Sequence, residues 1–201
     1  MALQVGCTYF RDMNYSAILA KIGAMKGKKM SIDQAASSIC LYLSDVCQRK
    51  FILAAASIDT DINSYITMWK TLSQMDTTNI RIIRRILGSE IDMTNIIWMY
   101  RLKRYRRIKG DATYGYLIPI RSRLSVVATQ KMAECETPRH LVDEIENSVY
   151  AKKIYFNKKI TPEQQLTAYI AKCYKAAAKQ YPNTMAPVLA YLYQRKSEQN
   201  W

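Results

Sequence analysis

Helix-start signals at three places restrict this chain to a helical fold. At residues 31–34 and 161–164, a Ser or Thr is followed three residues later by Gln. This is the capping box, which satisfies two free N–H groups at the start of a helix. Thr137 followed by Pro138 marks a third start, because proline is tolerated at the first helical position. Strand patterns are weak by comparison. We therefore expect an all-α fold, an antiparallel helical bundle with no significant β-sheet.

The spacing of apolar residues predicts about eight helices joined by short connections. Asp76 is expected to cap a helix that Gly88 ends in a left-handed turn, and residues 110–115 are expected to form a loop. With 6 Gly and 5 Pro in 201 residues, we expect one helical domain, 1–201, that can divide into sub-modules of about 1–110 and 111–201. The predicted helices include residues 32–46, 77–87, 91–107, 122–135, 138–146 and 162–180.

Several protein classes are not expected. The longest apolar stretch, residues 51–58, falls short of the roughly 20 residues that cross a membrane. Residues 1–10 lack the features of a signal peptide, so we expect a cytoplasmic protein. The cysteines form no CxxC pair, which argues against a disulfide framework and a zinc site. They are Cys7, Cys40, Cys47, Cys135 and Cys173.

Charge is distributed unevenly along the chain. The formal net charge is +14, yet residues 111–150 carry 4 basic and 6 acidic groups. The densest basic run lies at the end of the predicted helix 91–107, and no acid occurs between Asp92 and Asp111 to neutralise it. The candidates for contact with a partner or with lipid are Arg101, Lys103, Arg104, Arg106 and Arg107.

This basic run allows several interpretations. Guanidinium groups interleaved with Tyr100 and Tyr105 are typical of a surface that binds a nucleic-acid backbone while the rings stack on bases. Charged side chains distributed around most of the circumference of a helix are equally typical of a helix exposed to solvent. Acidic lipid headgroups or an acidic protein would suit the same charges. A basic helical nucleic-acid-binding protein is therefore one hypothesis for the function.

Signals for catalysis are weak. No glycine-rich phosphate-binding loop occurs. Paired carboxylates occur only as Glu90 with Asp92 and as the acidic cluster within residues 143–146, and the second set is more typical of a solvated helix face than of a general acid and base. A small-molecule hydrolase would require a concave site with perturbed carboxylates. One histidine, His140, and scattered thiols do not predict a metal site. We expect no catalytic residue, no cofactor and no metal.

Residues 88–105 closely resemble the signature of the C-type stalk protein of prokaryotic V/A-type rotary ATPases, a relative of the d-type stalk protein of the eukaryotic vacuolar enzyme. The sequence of this stretch is GSEIDMTNIIWMYRLKRY. Further blocks resemble the family in the expected order at residues 15–28, 65–70, 117–120 and 182–198. The signature residues to which we assign structural roles are Gly88, Asp92, Asn95, Trp98, Tyr100, Tyr105 and Pro119.

The resemblance implies an all-α fold built from helical modules arranged as a funnel, and a protein without a catalytic site of its own. It implies a central-stalk subunit that couples the rotor shaft to the membrane ion-translocating ring, peripheral and on the cytoplasmic face of the membrane. The implied partners are the shaft subunits and the ring, with anionic lipid contact and neither nucleic acid nor a small-molecule substrate. Family members are longer, so the resemblance implies a shortened or divergent member, or a fragment, with most of an internal module missing near residues 47–57.

The resemblance also implies mechanical roles for individual residues. Asp92 and Asn95, one turn apart, are expected to satisfy local backbone or cap groups rather than bind a ligand. Trp98 is expected to anchor the core together with Ile91 and Tyr105, because a large aromatic side chain buries the most surface. The charges at the end of the same helix would then be available to the shaft, to the polar loops of the ring or to lipid headgroups.

Overall fold

The computed structural model describes residues 15–43, 46–57, 61–75, 77–108, 110–157 and 159–199, and most of these residues are helical. Within these ranges the chain forms ten α-helices and a π-helical turn, and no β-strand. The all-α prediction is confirmed. The helices are α1 (Tyr15–Met25), α2 (Ile32–Cys40), α3 (Val46–Ala56), α4 (Ile62–Leu72), α5 (Thr77–Arg101), α6 (Asp111–Tyr114), α7 (Val126–Glu134), α8 (Pro138–Glu146), α9 (Pro162–Gln180) and α10 (Ala186–Gln199), and the π turn (Leu102–Arg106) follows α5.

The three helix-start signals are confirmed. The Gln34 backbone N–H donates to Ser31 Oγ over 3.2 Å, and the Ser31 backbone N–H donates to Gln34 Oε1 over 3.0 Å. The same reciprocal hydrogen bonds join the two ends of residues 161–164 ahead of α9. Thr137 Oγ1 accepts from a backbone N–H in the first turn of α8. Each signal acts within four residues of itself, which is why the sequence alone predicts it.

The capping box of α2 makes a measurable contribution to stability. Ser31→Ala removes the acceptor for the Gln34 N–H and should lower the free energy of unfolding by about 1 kcal/mol, measured by urea denaturation. Ser37→Ala is the matched control, because Ser37 is exposed inside the same helix, where alanine has the better helix propensity. A loss in the control as large as that in Ser31→Ala would contradict a capping role.

Helix α5 is longer than predicted because it continues through Gly88. Ile83, Leu87 and Ile91 recur at four-residue spacing on both sides of the glycine and are almost fully buried. Burial of this continuous apolar stripe stabilises one helix through the glycine. The predicted left-handed turn at Gly88 is therefore wrong. Asp76, the predicted cap, lies outside the described residues.

Other predicted boundaries also shift. The helix predicted for residues 32–46 ends at Cys40, and α3 begins at Val46. The loop predicted for residues 110–115 contains the short helix α6, which follows Gly110 at a φ of 58°, a conformation that glycine adopts without steric cost. The helix predicted from residue 122 begins only at Val126, because the backbone just before it is bound by a distant side chain.

The described residues divide into two compact units. The first contains the residues up to Arg84 and those from Tyr174 onward. In this unit α10 packs against α1, α2 and α3, and α3 also packs against α4. The buried side chains of the unit include Ile39, Phe51, Leu72 and Leu189.

The second unit runs from Arg85 to Cys173. It contains the later part of α5, the π turn, α6, α7, α8 and the first part of α9. In this unit α7 packs against both α6 and α8. The buried side chains include Ile96, Met99, Leu141, Tyr150 and Leu166. Every candidate site residue named from the sequence lies in this unit.

Candidate partner-binding site

The basic run lies where α5 widens into the π turn and then stops. The backbone N–H groups of Arg107 and Ile108 both donate to the carbonyl of Leu102, which closes the turn. Arg107 adopts a left-handed conformation with a φ of 55°. A non-glycine residue in this conformation ends a helix, because the following residue can no longer continue it. The run therefore lies at a helix end rather than along a helix face.

Four of the five candidate cations are exposed on this helix end, which we call the basic surface: Arg101, Arg104, Arg106 and Arg107. Arg101 forms an ion pair with Glu163 of α9, with an Nη2–Oε2 distance of 3.0 Å. Arg104 donates to the hydroxyl of Tyr100 over 3.0 Å, and its guanidinium lies 5.6 Å from the centre of the Tyr105 ring. The hydrogen bond to Tyr100 raises the pKa of Arg104, so its charge is secure at every physiological pH.

Lys103 is not on the basic surface. Its side chain is only 4% exposed, and its Nζ donates to the carbonyl of Ala133 over 2.7 Å. The Gly110 backbone N–H donates to the same carbonyl over 3.2 Å. Ala133 lies in the last turn of α7, where free carbonyls and the helix dipole favour a cation. The expectation that Lys103 faces a partner or lipid is therefore corrected, because this lysine anchors the end of α7.

Asp92 organises the interior of the second unit. Its Oδ2 accepts hydrogen bonds from the backbone N–H groups of Arg123, over 2.9 Å, and of Leu124, over 3.2 Å. The hydroxyl of Tyr150 donates to the same oxygen over 2.7 Å. Because Tyr150 is fully buried, these contacts join α5, the segment before α7 and the segment after α8 inside the unit. We call Asp92, Tyr150 and the two backbone N–H groups the Asp92 hub.

Burial sets the protonation behaviour of the Asp92 hub. It raises the pKa of Asp92, and the hydrogen bonds from Tyr150 and from the backbone oppose that rise only in part. Burial and the neighbouring carboxyl also raise the pKa of Tyr150, so its hydroxyl remains a hydrogen-bond donor. The arrangement holds a segment of backbone in place.

Asn95 binds the same segment of backbone as Asp92. The Ile118 N–H donates to Asn95 Oδ1 over 2.8 Å, and Asn95 Nδ2 donates to the Ile118 carbonyl over 3.1 Å. Asp92 and Asn95 do satisfy backbone groups, but these groups lie between 23 and 32 residues further along the chain. The expectation that they satisfy local groups of their own helix is therefore corrected.

The remaining signature residues have different environments. Gly88 is buried inside α5, Trp98 is half-buried and Tyr100 is buried. Tyr105 is 67% exposed, so the expectation that it anchors the core with Trp98 is wrong. The π turn places its ring beside Arg104 instead. Pro119 is exposed, although the two residues before it are buried.

A cleft of about 470 Å³ lies beside the Asp92 hub. Its walls include Asp92, Asn95, Leu117, Pro119 and Val126. Of the described residues that line it, only Asp92 carries a carboxylate, and three donors already share one of its oxygens. A hydrolytic site of the kind considered from the sequence would require a second carboxylate in a different environment.

Sequence reasoning missed Tyr150 and the backbone of residues 123 and 124. Tyr150 follows α8 without any pattern that distinguishes it from the other 14 tyrosines of the chain. Its partner, Asp92, is 58 residues away. Only the packing of the second unit brings the hydroxyl and the carboxyl together.

Comparison with known families shows the family of the chain. The family model described as ATP synthase (C/AC39) subunit matches residues 18–200. The chain belongs to this family. The family is that of a component of V/A-type ATPases, as the resemblance at residues 88–105 implied. Comparison with curated proteins finds no match, and comparison with solved structures finds none either. Among the described residues, no helix is both long enough and apolar enough to span a membrane.

Proposed function

We propose that this protein is a non-catalytic central-stalk subunit that couples the rotor shaft of a V/A-type ATPase to its membrane ion-translocating ring. The observation that carries the proposal is the family match, which covers residues 18–200 and includes the signature of α5. The proposed location is the cytoplasmic face of the membrane. The proposed partners are the shaft subunits and the ring, and the protein uses no cofactor and no small-molecule substrate.

The rigidity of the second unit supports a coupling role. A subunit that transmits torque must hold its contact surfaces in fixed positions. Asp92 and Asn95 on α5 hold the segment before α7 through direct side-chain bonds to its backbone, and Lys103 holds the end of α7. Arg101 joins the end of α5 to α9 through Glu163. These contacts all involve α5 or the π turn that continues it, so they connect the basic end of this helix to the segment before α7, to the end of α7 and to α9.

The basic surface is the proposed contact for an acidic partner. Arg104, Arg106 and Arg107 are exposed around one helix end. Within the described residues, none of these three forms a salt bridge, so the charges are available to an acidic face of the shaft or ring. Anionic lipid headgroups have the same sign of charge as such a face and would contact this surface where the ring meets the bilayer.

Affinity purification tests the proposal. The tagged full chain, expressed in its native cells, should co-purify with the shaft and ring subunits of the ATPase, identified by mass spectrometry. Recovery of the chain alone from cells that contain the assembled ATPase would contradict the proposal. A gel-shift assay over a salt series provides the counter-test, because phosphate contacts give a steep dependence on salt. Nucleic-acid binding without any ATPase subunit would favour the nucleic-acid hypothesis instead.

A further inference from the structure

Three cations act electrostatically on two side chains of α9 in the second unit. Tyr169 and Cys173 lie one turn apart on α9, and both are half-buried. The positive charges of Arg85, Arg123 and Lys153 all act on the thiol of Cys173. Arg85 and Arg123 act on the hydroxyl of Tyr169 as well, and this hydroxyl is hydrogen-bonded to the thiol of Cys173. Residues from α5, from the segment before α7 and from the segment after α8 therefore converge on one turn of α9. We call Arg85, Arg123 and Lys153 the cation cluster.

The cation cluster has no carboxylate of its own. Within the described residues, neither guanidinium of the cluster nor the Lys153 ammonium forms a salt bridge. Asp92 contacts Arg123 only through the backbone N–H. Burial lowers the pKa of Lys153, and the charges of Arg123 and Arg85 lower it further. Like charges held close together without a counter-charge raise the free energy of the folded state. An anion bound among them would remove that repulsion.

The Asp92 hub holds the cluster in position. The backbone of Arg123 is bonded to Asp92, and the Lys153 ammonium lies 5.4 Å from the centre of the Tyr150 ring. The Tyr150 ring meets the Tyr169 ring edge to face, with 5.8 Å between ring centres. Arg85 lies seven residues before Asp92, two turns along the same side of α5.

A depression beside the cluster gives a ligand room. Its volume is about 230 Å³, and Lys153 and Tyr169 form part of its wall. Lys172 adds another positive charge, and Asn157 and Gln165 add polar side chains. A small ester could therefore place its anionic group at the cluster and its organic part in the depression.

We propose that Arg85, Arg123 and Lys153 bind the phosphate group of a phosphate monoester. A phosphate monoester offers several oxygens and up to two negative charges, which suits three cations from three segments of the chain. Guanidinium groups match phosphate oxygens with two parallel hydrogen bonds. A single carboxylate carries one charge and would leave part of the cluster unsatisfied. The inference is independent of the proposed role in the ATPase.

The first test is a titration of the purified full chain with inorganic phosphate at constant ionic strength. Saturable changes in the amide NMR signals around residues 123, 153 and 169 are expected, and acetate at the same ionic strength should give much weaker changes. The combined variant R85Q/R123Q/K153Q should bind phosphate at least about tenfold more weakly. Lys153→Gln alone exchanges one exposed side chain and should weaken phosphate binding severalfold. This single variant provides the test if the combined variant does not fold.

The control variant is K131Q/R139Q/K159Q, which removes the same net charge from exposed positions of the second unit. It should bind phosphate like the unmodified protein. Equal weakening in the control, equal binding of acetate, or no saturable change with phosphate would each overturn the proposal. Vesicles of phosphatidylcholine with and without phosphatidic acid distinguish the source of the phosphate. If the protein binds only the vesicles that contain phosphatidic acid, and R85Q/R123Q/K153Q loses this binding, the phosphate comes from a lipid. If the protein binds inorganic phosphate but neither kind of vesicle, the ligand is a soluble ester.

Discussion

Replacement of Asp92 by alanine should lower the free energy of unfolding by about 3 kcal/mol, because three donors lose their shared acceptor. These donors are the Tyr150 hydroxyl and the backbone N–H groups of Arg123 and Leu124. The Tyr150 side chain is fully buried, so water cannot replace the lost acceptor there without disturbing the core. Urea denaturation followed by circular dichroism measures the change.

Two tyrosine variants distinguish the loss of a hydrogen bond in the Asp92 hub from the general effect of removing a tyrosine hydroxyl. Tyr150→Phe removes only the hydroxyl that donates to Asp92, and it should cost about 2 kcal/mol because the acceptor is a buried carboxyl group. Tyr155→Phe is the matched control, since this side chain is 77% exposed, and its effect should stay within about 0.5 kcal/mol. A value for Asp92→Ala as small as that of the control would contradict the role assigned to the hub.

The direction of the Asp92 pKa shift gives this stability a pH dependence. Burial raises the pKa of Asp92 above its ordinary value of 3.8, so the folded state holds this proton more tightly than the unfolded state. The stability that comes from this tighter proton binding by Asp92 is fully present below pH 3.8. It is lost as the pH rises through the raised pKa of Asp92. Asp92→Asn cannot titrate and should lack this decline. Parallel slopes in the two proteins above pH 3.8 would contradict the assigned shift.

Charge reversal of the basic surface should abolish assembly while leaving the fold intact. In the variant R104E/R106E/R107E, three exposed cations become acids, so an acidic partner is repelled where it was attracted. We expect the amount of co-purified shaft and ring subunits to fall about tenfold or more. Because the three side chains are exposed, the urea denaturation curve should change little.

The matched control reverses three exposed lysines in the first unit, Lys26, Lys28 and Lys29. It has the same net charge as R104E/R106E/R107E and should keep its ATPase partners. If both variants lose the partners equally, the effect comes from overall charge and not from the basic surface. If neither loses them, the basic surface is not the contact. Either result would leave the family assignment intact, because that assignment depends on the match over residues 18–200.

Much of the fold follows from short-range chemistry. The capping boxes at residues 31–34 and 161–164, and the cap at Thr137, all form as the sequence predicts. The failures occur where burial overrides a local signal. Gly88 should have ended a helix, but the buried apolar residues on both sides of it keep α5 continuous. The segment from residue 122 has the composition of a helix, but Asp92 binds two of its backbone N–H groups and delays the start of α7 to Val126.

The candidate site divides in the same way. The sequence predicts a dense group of cations at the end of a helix, and it identifies the family through the signature in residues 88–105. It does not predict that Lys103 points inward to the carbonyl of Ala133 while Arg104 and Tyr105 point outward. The direction of each side chain depends on the π turn, and neighbouring charges in a sequence do not reveal such a turn.

The sequence by itself determined the helical class, the starts of three helices and the family, because each depends on residues within a few positions of one another. Only the tertiary structure decided what Asp92 binds, which cations face outward and that the charges of Arg85, Arg123 and Lys153 act on the Cys173 thiol of α9. The partners of Asp92 lie 31, 32 and 58 residues away. Packing of the second unit brings such distant groups together, and burial then makes each hydrogen bond between them costly to lose.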